Sequence, residues 1–176
     1  NRIHIFNLIY SDFKYIYNII GKPFPMEKID SFVTAAAAKK ALRSARVGTM
    51  GYRDMLLYGT QFEGNSMRGQ LGVEVEPYEM LEMVRAIDTL SAEEIAEGVR
   101  FVKENWKFQK PCEDAVIEQG VKYALSIRKK IAERGWEAIT LLDVDGMKKL
   151  EGFPPAMVFM LLEHYCNILT VPENDV

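Results

Sequence analysis

Two apolar periods organise most of the chain, one matching helices and one matching strands. Residues 1–30 stand apart from both. There Ile3, Ile5, Phe6, Leu8, Ile9, Phe13, Tyr15, Ile16, Tyr17, Ile19 and Ile20 crowd ahead of the breaker Gly21-Lys-Pro-Phe-Pro25. So short a segment cannot bury that many apolar faces on itself, so it is expected to pack on another domain, another subunit or the rest of the chain. It reads as the tail of a preceding domain or a subunit-contact segment, with a simple N-terminal helix as the alternative.

From Ser31 the spacing becomes regular. Ser31 is expected to cap a helix through Leu42, with the run Ala35–Ala38 supplying helix propensity. Ala45–Met50 reads as a buried strand, Gly51-Tyr-Arg53 as the turn leaving it, and Leu56–Leu71 as a helix weakened by Gly59, Gly64 and Gly69. Val73–Glu76 alternates as a short strand. Ser91-Ala-Glu-Glu94 is a capping box opening a helix with Ile95, Val99, Val102 and Trp106 on one face. A helix over Glu113–Arg134 carries Ile117, Val121, Ala124, Ile127 and Ile131, and Gly135 ends it. The strand Ala138–Leu142 follows, then a helix from Pro154-Pro155 to about Tyr165 and a last strand over Asn167–Val171.

Strands alternating with helices of this length predict an α/β fold, a Rossmann-like parallel sheet with helices on both faces, occupying residues 31–176. Sheets of this kind gather ligands at the carboxyl ends of their strands. Two predicted strand ends carry acids there: Asp143 and Asp145 after one, Glu173 and Asp175 after the other. Carboxylates at such positions are either half of an oxygen-ligand site suited to Mg²⁺ or Mn²⁺, or capping and turn residues. Tyr52 and Arg53 are expected to project at the same crevice, where Arg53 either binds a polyol hydroxyl, steadies an acid or makes a surface ion pair. Glu63 reads as a crevice acid or a solvated one, and Glu76 as the one candidate among the acids around its strand.

Other chemistries find little support. Gly48-Thr-Met-Gly51 lacks the glycine spacing of a nucleotide loop, and no phosphate-loop motif occurs. His4 and His164 are too isolated to make a ligand pair, and no Ser or Cys beside a His suggests a nucleophile. Cys112 and Cys166, widely spaced, read as two reduced thiols in a cytoplasmic protein. The methionines fall at helical spacing and read as core filling.

The 176 residues suit one full-sized core, and a net charge of −3 without a long Lys/Arg run argues against nucleic-acid binding. No apolar run reaches the roughly 20 residues of a membrane span. A first residue other than Met suggests a trimmed product or a piece of something longer.

The order of several stretches resembles the family of L-fucose and L-arabinose isomerases. They are Gly21-Lys-Pro-Phe24, Leu42-Arg-Ser-Ala-Arg-Val-Gly48, Gly51-Tyr-Arg53, Leu71-Gly-Val-Glu-Val-Glu76, the acidic turn after Leu142, and Glu173-Asn-Asp175. The resemblance implies the end of that family's first domain and most of its middle domain, incomplete at the C-terminal end. It implies a metal-dependent aldose–ketose isomerase acting on an L-sugar by enediolate proton transfer, with Mn²⁺ (or Mg²⁺) held by two acids and a His. Glu173 matches the acid of the family's terminal motif, and Asp175 is an alternative ligand. The other acid falls at Asp145 or Asp143, where the family usually has Glu. The His would lie beyond Val176, so the chain alone is expected to be inactive. A homo-oligomer, and contacts with the remaining domains of the same polypeptide, are further implications. The alternative is a sugar-binding module without catalysis.

Overall fold

In the computed structural model, which describes residues 15–176, helix α1 (Met26–Leu42) begins directly after Pro25. The first fourteen residues of the aromatic and aliphatic segment, His4 among them, lie outside the described residues. Proline suits a helix start because its fixed φ matches and its missing N–H is not needed there. The helix therefore starts earlier than the predicted Ser31 cap, and Ser31 is an ordinary residue within it. The chain continues through β1 (Arg46–Met50), α2 (Gly64–Gln70), β2 (Glu74–Tyr78), α3 (Met80–Ala86) and a 3₁₀ turn at Ile87–Thr89. Then come α4 (Ala92–Asn105), α5 (Asp114–Arg134), β3 (Ala138–Leu141), a wide turn over Asp143–Lys148, α6 (Ala156–Cys166) and β4 (Leu169–Val171).

The predicted helix over Leu56–Leu71 is mostly loop. Only Gly64–Gln70 is helical, with Glu63 as its cap: the carboxylate accepts the amides of Asn65 (3.1 Å) and Ser66 (2.6 Å). The Ser66 hydroxyl, then these two amides, hold Glu63 below the usual carboxylate range, and the amide bonds identify it as a capping acid. Helix α3 was not anticipated as a separate element; its Met83 is fully buried.

The chain divides into two compact units. The smaller comprises the described residues up to Ala45 together with Glu63–Glu74. Neither of its helices has a buried residue. Gly72 lies with φ +88° against Arg43, whose Cα would sit 2.7 Å from an added Cβ, so any side chain there collides with backbone.

The larger unit, Arg46–Phe62 and Val75–Val176, holds the core. The capping box forms as the sequence demands: the Ser91 hydroxyl accepts the Glu94 amide (3.1 Å), and the Glu94 carboxylate accepts the Ser91 amide (2.8 Å). Helix α5 buries Ile117, Val121, Ala124, Ile127 and Ile131 and ends at Gly135 in the left-handed conformation. It packs against α3, α4 and α6. Cys112 and Cys166 are half-buried free thiols.

The four strands form a parallel sheet in the order β2-β1-β3-β4, the Rossmann-like α/β arrangement expected from the sequence. Val47 pairs with Ala138 and Met50 with Leu141, while Ala138 pairs with Leu169. Gly48, Thr49 and Met50 of β1 and Ile139, Thr140 and Leu141 of β3 are buried in succession, the mark of strands covered on both faces. Gly48 is required by Trp136: a Cβ would come within 2.4 Å of the indole, which is 3 % exposed. Gly48→Ala is expected to destabilise the larger unit by about 2 kcal/mol, as overpacking of a filled core does. A urea midpoint left unchanged would show that Trp136 yields freely. Trp136 also donates to Glu76 (3.0 Å), which pairs with Arg46 and lies near Arg134. Glu76 is thus a structural ion-pair partner rather than a crevice acid.

Candidate functional site at the strand ends

In a sheet ordered 2-1-3-4, the connections leaving β1 and β3 depart in opposite directions. The switch point of the fold therefore lies between the carboxyl ends of these two strands, the place where such sheets open a crevice. Three segments of the larger unit meet there: residues 51–58 after β1, 142–149 after β3 and 172–175 after β4. The residues that join them are polar.

Asp54 is the hub. It is 0 % exposed, yet its carboxylate accepts the amides of Val144 (2.8 Å), Asp145 (2.7 Å) and Met55 (3.0 Å). The Val144 and Asp145 amides begin the wide turn over Asp143–Lys148, in which Met147 N–H bonds Leu142 C=O and Lys149 N–H bonds Val144 C=O, five residues back. Turns of this π type are uncommon and recur at functional positions. Asp145 returns the contact, accepting the Met55 amide (2.7 Å) and the Lys149 ammonium (2.6 Å). That carboxylate in turn raises the affinity of Lys149 for its proton.

Asp143 joins the third segment. Its carboxylate accepts the Glu173 amide (2.9 Å) and is hydrogen-bonded to Asp54. Next to it, Asn174 is 2 % exposed; its side-chain amide donates to Met50 C=O (2.8 Å) and Thr49 Oγ1 (3.3 Å), and its backbone N–H to Leu141 C=O (3.2 Å). The Asn174 Oδ1 is buried without a hydrogen-bond partner. Asp175 is exposed, and no hydrogen bond to the Glu173 carboxylate is found among the described residues.

The two neighbouring carboxyls share their environment unequally. Burial, then the hydrogen bond with Asp54, pushes Asp143 up to about 6. Burial also pushes Asp54 up, but the bond from Asp143 and the amides of Asp145, Val144 and Met55 outweigh it and hold Asp54 low. Below about pH 6 the pair therefore holds one proton, on Asp143. Because its folded pKa is raised, Asp143 favours folding most below its unfolded value of 3.8 and loses that contribution as pH rises through about 6. The Asp54 contribution has the opposite sign and fades only at lower pH. Asp143→Asn, a neutral mimic of the protonated acid, is expected to raise stability at pH 7.5 by roughly 1 kcal/mol, after allowing for solvent screening, and to change little at pH 5. Equal urea midpoints for variant and wild type at pH 7.5 would contradict the shared proton.

Backbone strain concentrates here too. Met55 and Leu56 have φ of 47° and 57°, and Glu173 and Asn174 have 63° and 54°. Left-handed geometry costs non-glycine residues on the order of 1–3 kcal/mol each and persists only where the surroundings enforce it. The bonds from Asp54 and Asp145 to the Met55 amide, and from Asp143 to the Glu173 amide, are that enforcement.

The residues predicted from sequence thus fall into two groups. Asp143, Asp145 and Glu173 come together with the loop that carries Tyr52 and Arg53; Asp175 points to no partner among them. Tyr52 is 84 % exposed, and the Arg53 guanidinium lies over the Tyr58 ring, 4.9 Å from its centre. Asp54 and Asn174 were not anticipated. An Asp four residues past a strand was the available signal for the first; Asn174 read only as the spacer between two acids.

Among the described residues, no three His, Cys, Asp or Glu side chains stand close enough to hold a metal ion. Asp143 and Asp145 each commit an oxygen to a backbone amide. These residues do not by themselves fit a Mn²⁺ centre; they supply an incomplete donor set. A hollow of about 670 Å³ lies elsewhere, between α4 and α5 around Ile95, Val99 and Lys122, and no strand-end residue lines it. Its lining sets the charged side chains of Arg100, Lys103, Glu104, Glu118 and Lys122 beside Ile95 and Val99, and none of the acids predicted from sequence reaches it. His164 is exposed and stacked on Phe101 (4.1 Å), away from the acids in its contacts. No helix among the described residues is long and apolar enough to cross a membrane. Comparison of the chain with protein-family models and with curated proteins gives no match.

Proposed function

We propose that the chain forms the acid-bearing part of a metal-dependent aldose–ketose isomerase acting on an L-sugar such as L-fucose or L-arabinose. The observation that carries this reading is the meeting of Asp143, Asp145 and Glu173 at the β1/β3 switch point. Isomerisation needs a carboxylate that removes the C2 proton of an open-chain aldose. The C–H electrons form the C1=C2 bond of an enediolate as the C1=O π pair moves onto O1. The carboxylate then returns its proton to C1, while O2 gives up its proton to become the ketone oxygen and O1 takes one up as the new hydroxyl. Glu173, whose carboxylate has no hydrogen-bond partner among the described residues, fits the proton carrier, with Asp145 as the second acid. Arg53 and Tyr52 would contact sugar hydroxyls, and positive charge on Arg53 or Lys149 favours the enediolate oxygen. If the intact protein binds Mn²⁺ or Mg²⁺, Asp145 and Glu173 would be the ligands offered by this chain, and the ion would supply Lewis acidity.

Such a site needs the remaining domains of the polypeptide, and a homo-oligomer fits the exposed apolar side chains of Ile20, Phe24, Met26 and Val33. A cytoplasmic location accords with the free thiols.

A second reading, a sugar-binding module without catalysis, draws on a different observation: Asp54, Asp143 and Asp145 are tied up in holding loops together. One assay separates the two. The intact protein is stripped with EDTA, given Mn²⁺, and followed for ketose formation over L-fucose, L-arabinose and their stereoisomers. Metal-dependent turnover is expected; sugar binding that survives EDTA without turnover would favour the binding module.

A further inference from the structure

We propose that the loop Tyr52–Tyr58 is a carbohydrate-stacking platform, in which the Tyr58 ring lies against the C–H face of a pyranose and Arg53 fixes the plane of that ring. The proposal rests on the carbohydrate reading above and extends it to a residue for which that reading has no role.

Three observations point to it. Tyr52, Leu56 and Tyr58 are 84, 69 and 77 % exposed, so the loop leaves large apolar surfaces in water. The backbone beneath them is held in an unfavourable left-handed form at Met55 and Leu56, pinned through the Met55 amide by Asp54 and Asp145. Apolar side chains displayed on an enforced backbone are a recurrent arrangement at ligand sites. Finally, the Arg53 guanidinium sits over the Tyr58 ring, 4.9 Å from its centre, which orients the ring while the residue stays 77 % exposed.

The chemistry of the surroundings selects the ligand. An aromatic face carries negative charge density and attracts the weakly positive C–H edge of a sugar ring, while hydroxyls on the sugar rim need charged or polar partners. Arg53 lies on the loop and Asp145 is bonded to it, so both kinds of partner are adjacent. A protein partner is a poorer fit, because three side chains fall well short of the roughly 800 Å² per side of a stable interface.

The test uses the intact protein with L-fucose and L-arabinose, read by calorimetry and by saturation transfer from protein to sugar C–H protons. Tyr58→Ala is expected to raise Kd about tenfold, and Tyr58→Phe, which keeps the ring, to stay within about twofold of wild type. Since Tyr58 is exposed, both variants should keep the wild-type Tm. Wild-type affinity in Tyr58→Ala would overturn the platform while leaving the carbohydrate reading intact. So would equal losses in Ala and Phe, which would assign the effect to the hydroxyl, or a change confined to self-association. Failure of the wild-type protein to bind or convert either sugar would remove the carbohydrate reading itself, and this inference with it.

Discussion

Asp54→Ala should cost the larger unit about 3–4 kcal/mol and halve or worse its resistance to urea. The carboxylate is fully buried and is the acceptor for the Val144 and Asp145 amides, ninety residues away in sequence. Removing it strands both N–H groups, at roughly 1–3 kcal/mol apiece, in a place too closed for water to replace the lost oxygens. Part of the loss is offset: burial still holds the Asp143 pKa up, but the further rise due to the Asp54 carboxylate is removed. The Met55 amide keeps a partner in Asp145. Asp54→Asn retains one acceptor oxygen and should fall about midway. The measurement is urea unfolding at pH 7.5 with m-values compared, since only a shift at constant m reports a change in stability. A loss below about 1 kcal/mol in Asp54→Ala would mean that the three strand-end segments hold together by other means.

Glu173→Gln should lower turnover of the intact protein by about 10²–10⁴-fold while leaving its unfolding midpoint within roughly 0.5 kcal/mol of wild type. The residue contributes to the fold through its backbone, whose N–H binds Asp143 and whose φ is 63°. Glutamine keeps both features and nearly the same shape. Only the proton-carrying oxygen is lost. Steady-state ketose formation under saturating Mn²⁺, paired with a melting curve, checks both halves. Retained turnover would move the proton-transfer role to Asp145; a collapsed melting point would show that the Glu173 side chain, too, is structural.

The parts of the fold that local chemistry dictates were readable from the residues. The capping box at Ser91, the glycine stop at Gly135 and the apolar spacing of α5 each determine their own element, and each stands where the sequence puts it. Strand-end acids were readable for the same reason, because a carboxylate just past a predicted strand of a parallel sheet has a foreseeable location. What escaped was decided at long range. Asp54 is one turn-like Asp among several until β3 pairs with β1 and brings two free amides to it. The loop 51–63 has apolar residues at helical spacing, but the Met55 amide is drawn toward Asp145 and the backbone turns left-handed instead. Helix α1 begins at Met26 because Pro25 is a sufficient start, so Ser31 is not needed as a cap.

The order of strands also bears on how the chain comes to be folded. β1 leaves the ribosome long before β3, its neighbour in the middle of the sheet, and the amides that Asp54 binds follow it by ninety residues. Contacts of such wide sequence separation are slow to form, whereas helices α4 and α5, adjacent in the chain and packed together, need no distant partner. The nascent chain therefore carries an apolar strand with one side unsatisfied until the residues up to β3 have followed it, the kind of edge that invites pairing with a wrong chain. Closing the strand-end acids would then be among the last events of folding, and the same contacts that shape the crevice would mark the moment at which the protein ceases to be prone to aggregation.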